Sequence, residues 1–284
     1  MHTGAIAFKI KSAIDAAALP LYWLRGRPPW SAGYYTSKRQ AIEAAIDQRA
    51  VTPGAGLPAG FGVAIDERVV EYPWLFGHLS ATGTAKPRML DAGSILNHDF
   101  ILNRAPFKGG DLTIMTFAPE KYCQWYKGVS YVYGDLRETF FNDQTFDIVI
   151  CLSTIEHIGL DNTLLYTSDR RRAERDETGF LAAAREFRRI LRPGGTCYIS
   201  FPFGSRQNLG WYQVFDDAMV RQLVDAFGPT SCEIEYFRYS QDGWQRSDAE
   251  GVKDAVVFDV HSGQGRGNDR AASSRAIACL RLVA

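Results

Sequence analysis

Five residues able to carry charge or a proton stand where short apolar runs of the 284-residue chain give out. They are Asp91 in RMLDAGSILN, Glu120 in TIMTFAPE, Asp135 in YVYGDL, and Glu156 and His157 in DIVICLSTIEHIG. Beside Asp91, Gly93 lets the backbone turn sharply and admits a ligand with no Cβ in the way. Ser94 and Asn97 add short polar side chains where the first N–H groups of a helix would await an acceptor. Asn97 also tolerates left-handed backbone, so it can stand in for a glycine. From these residues alone, a cofactor turn and a plain helix cap are equally good readings. Asp135 offers a carboxylate to an amino group, with Leu136 beside it to pack on a flat ring. His157 is the candidate catalytic base, because an unperturbed imidazole titrates near pH ~6.5. Packing and hydrogen bonding beneath a ligand is its alternative role. Glu156 either orients His157 or lines the pocket. Glu156, His157 and Asp161 have no further anchor for an ion, so no metal is expected.

Such residues work only if a scaffold brings them to one edge. From residue 88 onward short apolar runs alternate with helical stretches. The runs are 88–92, 112–117, 130–133, 146–152, 196–201, 232–238 and 276–282; the helices are 119–126, 178–191 and 216–227. This alternation predicts right-handed crossovers and a Rossmann-like, doubly wound α/β fold. The expected sheet has seven strands, mostly parallel, with an antiparallel edge formed by the last two runs. Residues 256–260 are a candidate extra strand. Ligands then bind at the carboxyl ends of the strands, which is where the five residues fall, with Thr116 and Ser153 beside them. Residues 1–85 form an N-terminal helical extension and 86–284 the main domain. In the extension, 37–49 reads as a helix capped by Ser37, 51–62 as a Pro/Gly linker, and Val69, Val70, Trp74, Leu75 and Phe76 as a covering helix.

Bulk properties narrow the function. Hydrophobic residues make up 46 % and charged ones 23 %, ordinary for a globular domain. Thirty-two basic residues balance 32 acidic ones, so no long-range field draws nucleic acid to the molecule. The cluster Arg170, Arg171, Arg172 and Arg175 reads as a solvated face. Five scattered cysteines contain no CxxC pair, which argues against zinc or a disulfide framework and fits a reducing cytoplasm. AALPLYWLR, residues 17–25, is too short to span a bilayer. Packing on the domain is its expected role; peripheral contact with a membrane surface, helped by Trp23, Trp30, Arg25 and Arg27, is the alternative.

Taken in order, Asp-Ala-Gly after the first strand, Gly134-Asp135 after the third, Phe146-Asp147 opening the fourth, Glu156-His157 after it and LRPGG before the fifth resemble the class I S-adenosylmethionine-dependent methyltransferases. The resemblance covers residues 88–203. STIEHIGLDNTLLYTSD and GWYQVFD are also similar to a branch associated with surface-glycan biosynthesis. The resemblance implies S-adenosylmethionine as cofactor, Asp91, Gly93 and Ser94 shaping a methionine pocket bordered by Ser153, and Asp135 with Leu136 holding adenine. Two positions depart from the family pattern. Ile95 and Asn97 stand where further glycines would come, which also removes the G-x-G-x-x-G spacing that a dinucleotide needs. Thr116 occupies the usual place of a ribose-binding acid, so Glu120, one helical turn on, is the substitute candidate.

The function expected from these residues is methyl transfer to an O or N atom of a small-molecule or glycan acceptor. The other reading is a non-catalytic methyltransferase-fold protein serving as scaffold in a glycan-assembly complex. Acceptor contacts are expected from insertions at the same rim, 159–177 and 203–215, with 72–74 as a further candidate and Glu156, Asp161, Arg206, Trp211 and Tyr212 as substrate-binding candidates; a folded lid or a dimer contact is an equal reading of these residues. Aromatic faces with guanidinium donors suit a polyhydroxylated molecule.

Overall fold

The computed structural model describes residues 3–79, 86–167 and 169–284, with side chains from Ile10 onward. The expected boundary after residue 85 adjoins residues 80–85, which lie outside the described residues, as does Ser168 of the 159–177 insertion. In chain order the helices α1 (Thr3–Ala17), α2 (Leu19–Leu24), α3 (Tyr34–Asp47) and α4 (Arg68–Leu79) come first. Then follow β1 (Arg88–Ala92), α5 (Asp99–Leu102), β2 (Asp111–Thr116), β3 (Ser130–Tyr133), β4 (Phe146–Leu152), α6 (Thr163–Tyr166), α7 (Gly179–Ile190) and β5 (Leu191–Pro202). The last elements are β6 (Gln207–Asn208), β7 (Gln213–Val214), α8 (Asp217–Phe227), β8 (Ser231–Ser240), β9 (Gly243–Ser247), α9 (Ala249–Val252) and β10 (Ala276–Val283). The chain forms two compact units, 1–82 with 237–248 and 255–276, and 83–236 with 249–254 and 277–284.

The larger unit is built on the sheet, whose strand order is β3-β2-β1-β4-β5-β10-β8. Strands β1 to β5 run parallel, with Leu90 opposite Thr113 on β2 and Val149 on β4. In β5, Tyr198 lies opposite Ile150. Strand β10 returns antiparallel on β5, Leu280 facing Ile199, and separates β5 from β8. Met89, Leu90, Ile148 to Leu152 and Cys197 are all buried, as expected for central parallel strands covered on both faces. Helix α7 buries Phe180, Ala183, Ala184, Phe187 and Ile190, spaced to form one apolar stripe. Each of its two phenylalanines contributes about 2–3 kcal/mol by leaving water. After β1 the chain adds β2 and β3 on one side, then crosses back to add β4 on the other. That reversal opens a crevice between the carboxyl ends of β1 and β4.

Several local expectations are revised. No α-helix forms over 119–126: only a single 3₁₀ turn, Trp125–Lys127, follows β2. The segment is instead tied by side chains, Gln124 N–H donating to the Tyr131 hydroxyl at 2.7 Å and Asn97 Nδ2 donating to the Tyr122 carbonyl at 2.9 Å. An eighth strand, β9, is the hydrogen-bonded neighbour of β8, while residues 256–260 form no strand. The Pro-Gly-Gly after α7 does not end in a loop. Gly194, at φ +77°, bulges inside β5, and its N–H donates to the Ala284 carbonyl at 3.0 Å.

The smaller unit comprises the four N-terminal helices with β9, the last residues of β8 and residues 255–276. Tyr22, Tyr34 and Ala272 form a buried cluster joined by Leu19. Helix α3 starts three residues before the expected Ser37 cap. Its acceptor comes from α1: the Asp15 carboxylate takes the N–H groups of Gly33 at 2.8 Å and Thr36 at 2.7 Å. Ser37 is buried inside the helix.

This unit also holds a dense charge cluster. Lys38 pairs with Asp66 at 2.6 Å and Arg68 with Glu71 at 2.6 Å. Burial, with Asp66 and Glu71 nearby, pushes the Glu67 carboxyl up to about 7. A raised carboxyl favours the folded state at acid pH. That contribution is complete below the unfolded value of about 4.3 and is lost as pH rises toward 7. Glu67→Gln is therefore expected to raise stability on the order of 2 kcal/mol at pH ~8 and to change it little at pH ~4. Urea unfolding of both proteins at the two pH values measures this; an equal effect at both would refute it.

Candidate active site

The crevice between β1 and β4 widens into a cleft of about 680 Å³, open mouth included. The β1 end supplies Gly93. Its φ is +122°, its N–H donates to the Met115 carbonyl at 2.8 Å, and a Cβ there would meet the Thr154 side chain, with Thr154 Cβ only 2.8 Å away. Ser94 follows at φ +66°, so two successive residues are left-handed. Asn97 does not take that conformation; Ser94 does. Asp91 is fully buried behind this turn, accepting the N–H of Ile95 at 3.2 Å and of Leu96 at 2.8 Å. A carboxylate thus satisfies the donors that a longer helix would have left at its start. Asn97 is engaged behind the loop, its Oδ1 accepting from the Tyr131 hydroxyl at 2.8 Å.

The β2 end supplies Thr116, buried, and Phe117, half exposed. The ring of Tyr166, from α6, lies 5.9 Å from that of Phe117, and burial raises the Tyr166 hydroxyl while the neighbouring Thr116 side chain opposes that shift. Glu120 does not line the cleft, though its charge acts on the wall residue Tyr166, and its carbonyl lies 3.9 Å from Cys123 Sγ. The β3 end supplies Gly134, Asp135 and Leu136. Arg137 grips the Asp135 carboxylate with Nη2 at 2.6 Å and its own backbone N–H at 2.8 Å, and reaches Glu174 at 2.7 Å. Burial pushes the Asp135 carboxyl up, but the Arg137 hydrogen bonds and charge outweigh it and hold the group below its ordinary value. The site therefore keeps an ionised acceptor at neutral pH.

The β4 end supplies Thr154 and His157. His157 Nδ1 lies 2.9 Å from the Trp211 carbonyl. A carbonyl can only accept, so Nδ1 carries the proton and Nε2 is the acceptor nitrogen of the neutral ring. Nε2 is 3.9 Å from the buried Glu156 carboxylate. Trp211 and Tyr212 flank the imidazole at 5.0 and 5.7 Å between ring centroids. Ser153 sits just behind, its N–H donating to the Ser200 carbonyl at 2.9 Å.

Of the predicted residues, the fold gathers Gly93, Thr116, Asp135, Leu136 and His157 on the cleft wall. Asp91 is in β1, beneath its turn, and Ser94, Asn97, Ser153 and Glu156 lie in the turns that carry those residues. Trp211 and Tyr212 pack on His157. Asp161 stands at the base of α6, accepting from Thr163 N–H at 3.0 Å, and this bond and the Thr163 hydroxyl lower its carboxyl. Arg206 is on the exposed side, paired with Glu177 at 3.2 Å. Sequence reasoning missed Thr154, Phe117, Arg137, Tyr166 and Glu174 as wall residues. Thr154 was legible from its place between two chosen residues; Tyr166 and Glu174 fall in the 159–177 insertion expected to supply acceptor contacts, but the path of that irregular segment sets which of its residues face the cleft.

Among the described residues no group of three or more His, Cys, Asp or Glu is placed to hold a metal ion, and no helix is long and apolar enough to cross a membrane.

Comparison with curated proteins gives no match. Among solved structures, Burkholderia thailandensis 1,6-didemethyltoxoflavin-N1-methyltransferase, crystallised with 1,6-didemethyltoxoflavin and S-adenosylhomocysteine, is 13 % identical with TM-score 0.45, the alignment covering 96 % of this chain and 88 % of that one. The YcgJ protein of Bacillus subtilis is 13 % identical with TM-score 0.42, covering 72 % and 94 %. The [4+2]-cyclase SpnF is 17 % identical with TM-score 0.37, covering 57 % of this chain and 56 %, just over half, of its own length. Residues 112–199, from β2 through most of β5, match the family described as methyltransferase domain, the class of enzyme whose methyl donor is S-adenosylmethionine.

Proposed function

We propose that the chain transfers a methyl group from S-adenosylmethionine to an O or N atom of a small-molecule or glycan acceptor. The observation that carries this reading is the convergence of Asp135, Thr116, Gly93 and His157 on one cleft, all but Gly93 within the residues that match the methyltransferase-domain family. The chemistry of the wall fits the cofactor, with an ionised carboxylate at the β3 end and the Thr116 and Tyr166 side chains in the middle; in the β1 turn behind the wall, the buried Ser94 Oγ has no hydrogen-bond partner. Asp135 with Leu136 would hold the adenine, Thr116 the ribose side, and the Gly93-Ser94 turn the amino-acid end. When bound, the cofactor supplies a methyl group on a positively charged sulfur, open to in-line displacement.

The chain's own residues then position and deprotonate. Alignment of donor and acceptor within about 3 Å supplies most of the acceleration. His157 Nε2 accepts the proton that an acceptor hydroxyl or ammonium must lose. The Trp211 carbonyl fixes the tautomer and ring plane, and the Glu156 carboxylate stabilises the imidazolium that forms. The aromatic faces of Phe117 and Tyr166 border the mouth through which the acceptor enters.

Calorimetry with S-adenosylhomocysteine tests the assignment. Wild type is expected to bind, and Asp135→Ala at least about tenfold more weakly, since a hydrogen bond to a charged group is worth about 1.5–3 kcal/mol. An Asp135→Ala protein with full affinity would remove the adenine site from this position.

A further inference from the structure

Helices α1 and α2 of the smaller unit expose a run of apolar side chains that a soluble domain ordinarily covers. Leu24 is 84 % exposed, Ile14 63 %, Ile10 55 %, Trp23 53 % and Leu21 49 %. Ile10 and Ile14 share one face of α1 at i and i+4. The expected packing of the 17–25 stretch is carried mainly by Leu19 and Tyr22, which join the core beside Tyr34. Singly exposed apolar residues are ordinary; a clustered set with this exposure marks an interaction surface.

Charge identifies what the surface meets. The whole chain is electrically balanced, yet residues 10–42 carry five cations, Lys11, Arg25, Arg27, Lys38 and Arg39, against a single carboxylate, Asp15. Asp15 is turned inward onto the start of α3. Lys38 is neutralised by Asp66 and Arg39 by Glu43. Lys11, Arg25 and Arg27 remain without a carboxylate partner among the described residues, in and beside the exposed apolar helices. Two of them are arranged over aromatic rings: the Arg27 guanidinium lies 5.1 Å from the Trp23 ring centroid, and the Lys11 ammonium 6.0 Å from that of Tyr35. Aromatic bodies with basic heads suit the boundary between acyl chains and anionic head groups, where the stem lies in apolar surroundings and the charge stays wet.

We propose that α1 and α2 form a docking surface for an anionic lipid bilayer, with Leu24, Trp23 and Leu21 entering the interface and Lys11, Arg25 and Arg27 meeting lipid phosphates. This is peripheral attachment and does not depend on the methyl-transfer reading, because it is measured without cofactor.

The test is co-sedimentation of the full chain with vesicles of phosphatidylcholine, alone or with about one quarter phosphatidylglycerol. Wild type is expected to sediment with the anionic vesicles, weakly with the neutral ones, and to be released by about 0.5 M salt. Arg25→Gln with Arg27→Asn should weaken binding about 30-fold, from about 1 kcal/mol per basic residue. Asn is chosen because Arg27 has φ +60°. Leu24→Asp should weaken it at least about tenfold, with an unchanged circular dichroism spectrum. Equal sedimentation with both vesicle types, variants that bind like wild type, or no vesicle binding together with a dimer that Leu24→Asp dissociates would each overturn the proposal.

Discussion

Gly93→Ala is expected to abolish measurable cofactor binding, a loss of at least about 100-fold, and to lower stability by about 2–4 kcal/mol. Two independent costs combine. The backbone at Gly93 holds φ +122°, outside what an alanine adopts without strain. The added methyl would also overlap Thr154, whose Cβ lies 2.8 Å from the position it would take. Thr154 stands at the end of β4, so relief of that overlap pushes the β1 and β4 turns apart, and these two turns are the walls of the crevice. The cause is separable by a double-mutant cycle. In a Thr154→Gly background the Gly93→Ala change should cost less, because only the backbone strain remains. Calorimetry with S-adenosylhomocysteine and thermal melts of the four proteins decide it. Purely additive costs would show that Thr154 is not the obstacle, and unchanged binding by Gly93→Ala would take the turn out of the site.

The second large effect concerns His157. His157→Gln is expected to lower kcat by about 10²–10⁴-fold, the ordinary worth of a positioned acid or base. Affinity for S-adenosylhomocysteine should stay within about twofold, since the proposed function assigns His157 to the acceptor and not to the cofactor. The distinguishing readout is the pH–rate profile. With His157 as the base, the wild-type rate should rise with pH, and the variant should lose that acidic limb. Loss of cofactor affinity together with an unchanged profile would instead assign His157 to packing between Thr154, Trp211 and Tyr212. Substituting the ring leaves the Trp211 carbonyl as it is, so the variant tests the imidazole and not the fold of the 203–215 segment.

The sequence alone determined the parallel sheet. Runs such as 88–92 and 146–152 are apolar on both faces, and only a central strand covered by helices buries both. It also determined that Gly93, Asp135 and His157 line one cleft, because each lies in the segment that leaves a strand and parallel strands deliver their carboxyl ends to one edge. Tertiary structure decided whatever depends on partners distant in the chain. Residues 119–126 lost their helix because Tyr131 and Asn97 engage that segment's backbone. Helix α3 gained a turn because Asp15 of α1 reaches its start. Asp91 serves the backbone of its own loop, and Asp135 is held by Arg137, itself tied to Glu174. Periodicity reports which face of an element avoids water; it carries no information on which distant polar group satisfies a given carboxylate or N–H. That pairing arises only once the chain has closed, and in this protein it sets the tautomer of His157 and the wall of the cleft.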